Sequence, residues 1–474
     1  MSATVTSPSQ PAVRRLAGSL RRQLGLLGTM SISIGVMAPT LAMSITGVQP
    51  AGLLGRAAPL AFAFAAVGVA FVAYGFVRLS AEVASAGSVY AFVGHALGPR
   101  AGFLAGWALL GTYLVFPAVS ISAIAVFGRA FLDHAGIASS APWLPIALAG
   151  WAAIWVIAAR EVRTAARSLL GIELAAVVVI LVLMAIVVVT LVAGDAPRGQ
   201  GVTGDVLSLP AGTSLSTVGL AATFGFLSFA GFESAGSFGE ESTRPTRMVP
   251  RSIVAAIALG AAFYVACMTV QTWGFGTDAA GTRAFASSAA PLGDLGEAYV
   301  GRGMAAALDL MALVSAVGAG LGCASVCARM LFALGRDAVL PGGLAGVSRS
   351  TGAPAAGLAF VLVLDAAGLT AFAAAGTEPM DAFFYLATIG VLSLLAMYVM
   401  TNLAAGIHLA RGGRRAEALL PAAGIAIAAY VLYRNVWPVP DAPFDAFPYV
   451  VAGWLLLGAA LAPVLARRRR AAAP

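Results

Sequence analysis

The chain has 474 residues, of which 60% are hydrophobic and 10% are charged, and its mean hydropathy is +0.92. Because soluble domains carry about 25% charged residues, this composition excludes a compact water-soluble fold and predicts a polytopic protein of the lipid bilayer. All 28 basic residues are arginine, and the net charge is +8. The arginines are spread over short loops between apolar runs and form no basic face, so nucleic-acid binding is not expected.

The residue types that carry metal or redox chemistry are sparse. Cys267, Cys323 and Cys327 lie inside apolar segments, without the spacing of a disulfide framework or a metal site. The three histidines are too dispersed in the sequence for a metal site or a catalytic triad. We therefore expect no metal, no cofactor and no catalytic residue, and the chain is not predicted to be an enzyme.

Apolar runs recur along the chain and predict an all-α membrane protein. A helix needs about 20 apolar residues to cross a bilayer, and twelve segments meet this requirement. They lie at about 24–48, 57–79, 101–127, 142–159, 168–193, 215–238, 252–275, 303–331, 354–375, 380–409, 416–434 and 446–466. Residues 1–23 are predicted to form a disordered tail and residues 467–474 an arginine-rich tail.

The distribution of arginine predicts the orientation. With twelve spans both termini lie on one side, and 22 of the 28 arginines fall on that side while six fall on the other. Because arginine accumulates in cytoplasmic loops, both termini are predicted to be cytoplasmic. The expected location is the cell membrane, either a plasma or an inner membrane.

Four acidic residues fall within the predicted spans: Glu173, Glu233, Asp309 and Asp365. Ionisable groups in the hydrocarbon region are costly and usually mark a transport pathway. These four residues are therefore the first candidates for function, although the sequence assigns no role to Asp309 or Asp365.

Two spans contain signals for a broken helix. The first has Gly35 and Pro39 near its middle, and the sixth has glycines around Glu233. A simple proline kink is the alternative for the first span. The two breaks are five spans apart, which is typical of a transporter built from two inverted five-helix repeats.

Three motifs resemble the amino acid, polyamine and organocation (APC) permeases. The motif Phe229–Ala235 (FAGFESA), followed by Gly239–Ile253, is similar to the sixth-helix signature of that family. Ala84–Tyr90 and Ala328–Pro341 are similar to the family's motifs after the second and eighth helices. The resemblance implies a permease domain over 24–466. It comprises a first repeat at about 24–193, a second at about 215–409, and two extra helices at about 416–466.

The resemblance also implies a substrate site between the two breaks, where backbone amides bind a carboxylate and carbonyls bind an ammonium group. The implied site residues and the flanking aromatic residues are Val36, Met37, Ala38, Pro39, Thr40, Ser228, Phe229, Ala230, Gly231, Phe232, Tyr113, Phe116 and Tyr385. Each flanking residue has plain core packing as its alternative role. Pro39 supplies no amide, so a substrate without a carboxylate, such as an amine or polyamine, stays open.

Two acidic residues are candidates for proton coupling. Some APC permeases use a lysine in the fifth helix, but this chain has no lysine, and a desolvated Glu173 is able to take the proton instead. The alternative is that Glu173 pairs with Arg163 or Arg167. Glu233 either carries protons or caps a half-helix as a structural carboxylate. Protons or substrate exchange are favoured over sodium, because no hydroxyl pair is evident in the eighth span.

The leading hypothesis is a secondary transporter that moves an amino acid or a related organic amine by alternating access. A non-transporting membrane sensor of a similar ligand is the alternative, but it would be expected to carry a cytoplasmic signalling domain. A membrane enzyme would need a catalytic constellation, and a channel would need a filter motif; neither is found in the sequence.

Overall fold

The computed structural model describes residues 25–83, 88–137, 141–159, 162–337, 339–348 and 352–471, and regular structure in these ranges is helical. The α-helices are α1 (Leu26–Met37), α2 (Pro39–Ile45), α3 (Val48–Leu54), α4 (Ala58–Ser80), α5 (Val89–Leu97), α6 (Pro99–His134), α7 (Trp143–Ala158), α8 (Val162–Ala193), α9 (Leu215–Phe229), α10 (Pro245–Phe275), α11 (Ala279–Ser287), α12 (Pro291–Tyr299), α13 (Arg302–Arg336), α14 (Ala355–Ala374), α15 (Pro379–Arg411), α16 (Leu419–Arg434) and α17 (Phe447–Ala471).

Helices lie in all twelve predicted segments, which confirms an all-α polytopic fold. Within the described ranges, nine helical stretches are long and apolar enough to cross a membrane, and α1 and α2 together form one of them. A tenth is added when α9 and the bent segment after it are taken as one span. The helices α7 and α16 have 16 residues each and are shorter than these. The count of twelve spans therefore stays a prediction, as does the inverted repeat.

Two predicted features lie wholly or partly outside the described residues, and a third, the C-terminal tail, is partly helical. The predicted tail 1–23 and the first four residues of the motif Ala84–Tyr90 lie outside the described residues. Helix α17 continues to Ala471, into the segment 467–474 that was assigned to a tail. Arginine and alanine are strong helix formers, so the helix does not have to end with the apolar run.

Helices α6 and α13 form the centre of the bundle and pack against each other, and α6 also packs along α15. Gly320 of α13 and Gly390 of α15 lie at these contacts, where a Cβ atom would meet Ser120 and Phe116 of α6. Small residues of this kind let helix backbones approach closely in a membrane protein. At the periphery, α8 exposes a row of apolar side chains, including Val178, Val182 and Val189. An apolar face of this kind is suited to contact with lipid.

The first predicted break is present at Ala38. This residue has φ +44°, which ends α1, and α2 begins at Pro39. Proline disfavours the right-handed helical conformation in the residue before it, so Pro39 favours a break here. A proline alone does not require one, since α6 continues through Pro117. Gly35, which was also expected to favour unwinding, stays within α1.

The second break lies at Gly231. Helix α9 ends at Phe229, and a 3₁₀ segment runs over Phe232–Glu241 at an angle of 41° to it. Gly231 has φ +112°, in the region that favours glycine. A Cβ atom at this position would also lie 2.5 Å from Val36 Cγ1 and 2.9 Å from the Met37 nitrogen. The second break therefore packs directly against the first.

Candidate functional site

The break between α1 and α2 leaves the first amides of α2 without helical partners, and two side chains accept their hydrogen bonds. Pro39 has no amide hydrogen. The Thr40 amide donates to Glu173 Oε1 of α8 at 2.7 Å, and the Leu41 amide donates to Ser315 Oγ of α13 at 3.2 Å. Glu173 is 5% exposed. A carboxylate is well placed at a helix N-terminus, where partial positive charge accumulates.

The same break frees carbonyl groups at the end of α1. A helical carbonyl at position i normally accepts from the amide at i+4. Pro39 has no amide, and the Thr40 and Leu41 amides donate to side chains instead. The carbonyls of Gly35, Val36 and Met37 therefore lack their helical donors. One polar contact joins the two breaks: Ser33 Oγ donates to the Phe232 carbonyl at 3.0 Å.

Glu233 lies at the second break and is 1% exposed. Its Oε1 atom accepts from Tyr113 OH of α6 at 2.8 Å, and its Oε2 atom accepts from Tyr398 OH of α15 at 3.2 Å. Oε2 also accepts from the Gly231 amide at 3.2 Å. The carboxylate thus satisfies a backbone donor freed by the break and links it to two other helices.

A cavity of about 50 Å³ lies between the two breaks. It is lined by Val36, Met37, Ala38, Leu41, Ala42, Thr46, Phe116, Val119, Ser120, Leu227, Ala230, Ala319, Cys323 and Phe383. None of these residues is charged, and Thr46, Ser120 and Cys323 supply the few polar side chains. Mostly apolar walls with a few polar groups are typical of small-molecule sites. A volume of about 50 Å³ is below the roughly 300–1,000 Å³ of such sites, so the helices around the cavity have to move apart to admit a substrate.

Five of the thirteen predicted site residues line this cavity. Those that line it are Val36, Met37, Ala38, Phe116 and Ala230. The other predicted residues at the two breaks do not line the cavity. Phe229 packs against Tyr264 with ring centroids 5.0 Å apart, and Phe232 packs against Phe76 at 5.4 Å. The Ser228 hydroxyl lies 2.8 Å from that of Thr46, which does line the cavity.

Tyr385 lies apart from the other predicted site residues. Its ring packs against Phe444 and Phe447, with centroid distances of 5.7 and 5.6 Å. Phe444 lies just before α17, and Phe447 is its first residue. The three rings belong to a separate hydrophobic cluster. The structure therefore does not bring Tyr385 to the cavity.

The two remaining acids in the predicted spans lie elsewhere. Asp309 of α13 is buried, and its Oδ2 atom lies 2.6 Å from His134 Nδ1 at the end of α6. Asp365 of α14 is buried near the backbone of Ala118 in α6, and its Oδ2 atom has no hydrogen-bond partner among the described residues. Neither acid lines the cavity.

Sequence reasoning missed several residues at the site. No hydroxyl pair is evident in the eighth span, yet the Ser315 hydroxyl of that span accepts a hydrogen bond from the Leu41 amide. Tyr398, Phe383 and Cys323 carry no local signal, because their partners are distant in the chain. Tyr398, for example, is 165 residues from Glu233.

The described side chains include no group of three or more His, Cys, Asp and Glu residues that could hold a metal ion. Arg163 and Arg167, the alternative partners of Glu173, have side chains outside the described part of the structure. The polar groups at the cavity and the two breaks are freed backbone groups, hydroxyl groups and the buried carboxylates of Glu173 and Glu233.

Comparison with known proteins shows that the chain matches a protein family. The model of a family described as amino acid permease matches residues 28–411. The low-affinity putrescine importer PlaP of Escherichia coli (strain K12) is 24% identical over 68% of this chain and 68% of its own. The branched-chain amino acid permease BcaP of Bacillus subtilis (strain 168) is 27% identical, over 69% of this chain and 70% of its own.

A further relative is the methylthioribose transporter of Bacillus subtilis (strain 168), which is 26% identical over 76% of this chain and 77% of its own. These relatives are transport proteins rather than enzymes. The family match extends over most of the chain and agrees with the resemblance of the three motifs and with the membrane-spanning helices. The chain therefore belongs to the amino acid permease family and is a multi-span transporter of the APC kind.

Proposed function

We propose that the protein is a secondary active transporter that moves an amino acid or a related organic amine across the cell membrane by alternating access. The observation that carries this proposal is the meeting of two helix breaks, at Ala38 and Gly231, beside a mostly apolar cavity inside the bundle. Discontinuous helices near the middle of a membrane are typical of substrate sites in such transporters.

The packing of the helices supports two inverted repeats. In the predicted numbering of spans, α4 and α10 are the second and seventh, and α6 and α13 are the third and eighth. Each of these pairs packs together, as is expected when corresponding helices of two repeats lie across a pseudo-two-fold axis. The arginine distribution favours cytoplasmic N- and C-termini.

Proton coupling through Glu173 is part of the proposal. The Glu173 carboxylate joins α8 to the N-terminal amide of α2, next to the cavity. Protonation would remove the charge that the helix terminus stabilises and weaken this link. A proton could thereby alter the position of the first break. A purely structural cap is the competing role, and the pH dependence of uptake by Glu173→Gln distinguishes the two.

Glu233 is the second coupling candidate in this proposal. Its three donors, the Gly231 amide and two tyrosine hydroxyls, hold it at the other break. This complete set of partners favours a role in holding the break over a role in proton release.

Uptake into proteoliposomes tests the proposed function. The purified protein is reconstituted and offered a panel of radiolabelled amino acids and amines, with and without a pH gradient, and protein-free liposomes serve as the control. We expect uptake or exchange of at least one compound above the control. Absence of both for every compound would contradict the proposal.

A further inference from the structure

We infer that the substrate is an organic amine that lacks a carboxylate, and that Glu173 occupies the position at which a substrate carboxylate would bind. This inference rests on the proposed transport function and narrows its substrate class. It is carried by four features of the site: the partners of the freed amides, the freed carbonyls, the charges around the cavity and the cavity wall.

The amides that could bind a substrate carboxylate already have acceptors within the chain. Pro39 contributes none, the Thr40 amide donates to Glu173 and the Leu41 amide donates to Ser315. At the second break, the Gly231 amide donates to Glu233. A substrate carboxylate would have to displace these acceptors, and it would then lie close to the negative charge of Glu173.

The groups that remain free at the first break are hydrogen-bond acceptors. The carbonyls of Gly35, Val36 and Met37 lack their helical donors, and Val36 and Met37 line the cavity. An ammonium group has three donors and no acceptor. A primary amine therefore matches the unpaired groups of the break, whereas a carboxylate does not.

The charges around the cavity also favour a cation. Glu173 and Glu233 are buried, and they accept hydrogen bonds from the amides of Thr40 and Gly231, the chain neighbours of two lining residues. The ion pairs among the described side chains include neither carboxylate. No residue of the cavity wall is basic. Because opposite charges attract more strongly in a medium of low dielectric constant, Glu173 in its ionised form stabilises a positive substrate here and repels a carboxylate.

The cavity wall favours an alkyl chain on this amine. Phe116, Phe383, Leu41 and Leu227 lie around it, and its hydroxyl groups are those of Thr46 and Ser120. These features together select a small aliphatic amine, which is the decarboxylated counterpart of an apolar or basic amino acid.

Matched pairs of compounds test the inference on the wild-type protein. Binding of 3-methylbutylamine is compared with that of leucine, and binding of putrescine with that of ornithine, by competition against a transported radiolabelled compound. Within each pair we expect the amine to bind at least about tenfold more tightly, the scale of one charge-assisted interaction. Tighter binding of the amino acids would overturn the inference while leaving the transport function intact. Failure of both amines to compete against the transported compound would also overturn the inference, and it would leave the transport function intact, because that compound is still transported.

Two variants of Glu173 make the test specific to this residue. Glu173→Ala removes the carboxylate and frees the Thr40 amide, so leucine should gain affinity relative to 3-methylbutylamine. Glu173→Gln removes the charge but keeps an oxygen that can accept from the amide, so amine affinity should fall without a gain for leucine. Glu378→Gln, at an exposed carboxylate paired with Arg129, is the matched control and should change neither. A preference that is the same in Glu173→Ala and in the wild type would overturn the role assigned to Glu173.

Discussion

The Thr40 amide donates a 2.7 Å hydrogen bond to the Glu173 carboxylate, across 133 residues of sequence. This bond joins the half-helix that follows the first break to α8, whose opposite face is exposed in the described structure. We therefore expect a change in the charge of the Glu173 side chain to act on the break that borders the cavity.

If Glu173 is the coupling residue, Glu173→Gln should abolish the dependence of uptake on a pH gradient. The glutamine oxygen can still accept from the Thr40 amide, so the fold should be retained, but the side chain no longer takes up a proton. The measurement is uptake into proteoliposomes with and without the gradient, with Glu378→Gln as the control. Retention of full proton dependence in Glu173→Gln would assign Glu173 a structural role.

The close packing of the two breaks predicts a large effect of Gly231→Ala. A side chain at Gly231 would be strained by the positive φ and would meet Val36 and Met37. Strain of this kind costs about 1–3 kcal/mol, so we expect lower thermal stability in detergent and loss of transport. Gly35→Ala is the matched control, because a Cβ at Gly35 meets open space. Equal effects of the two substitutions would argue against the tight packing.

The two tyrosine hydroxyls on Glu233 predict losses of stability. Tyr113→Phe and Tyr398→Phe each remove one donor from a buried carboxylate, which costs about 1–3 kcal/mol. Tyr264→Phe is the control, because the Tyr264 hydroxyl is buried with no hydrogen-bond partner in the described structure. Thermal unfolding of the three single variants, and of the variant with both Tyr113→Phe and Tyr398→Phe, measures these losses of stability. A loss in Tyr264→Phe as large as in the other two would show that the hydroxyl contacts with Glu233 are not the cause.

The helix α12, outside the predicted spans, allows a prediction about pH. Burial raises the pKa of the Asp294 carboxyl above its ordinary value, against the effects of Ser288 and His134. The raised pKa means that the protonated carboxyl favours the folded protein. This contribution to stability is fully present below the unfolded pKa of about 3.9 and is lost as the pH rises through the folded pKa. Asp294→Asn should therefore be more stable than the wild type at neutral pH, and the difference should shrink on acidification. Melting temperatures across this pH range measure it, and a difference that grows on acidification would contradict the sign.

The positions of the helices and of the breaks were predictable because their causes are local. Twenty apolar residues span a bilayer whatever the rest of the chain does, and Pro39 and Gly231 act on the residues beside them. The acceptor of the Thr40 amide was not predictable, because it depends on the packing of α2 against α8. Tyr385 was expected at the site, but span ten is apolar all round, so its pattern does not indicate which face meets the cavity.

Protection of Cys323 by substrate tests the central claim most directly, because this thiol lines the cavity between the breaks. In a protein with Cys267→Ala and Cys327→Ala, a membrane-permeant maleimide can react only with Cys323. We expect Cys323 to be labelled as the transporter cycles, and we expect a transported amine to slow the labelling in proportion to its occupancy of the cavity. A labelling rate unchanged by saturating transported compound, in protein that retains uptake, would contradict a substrate site in this cavity.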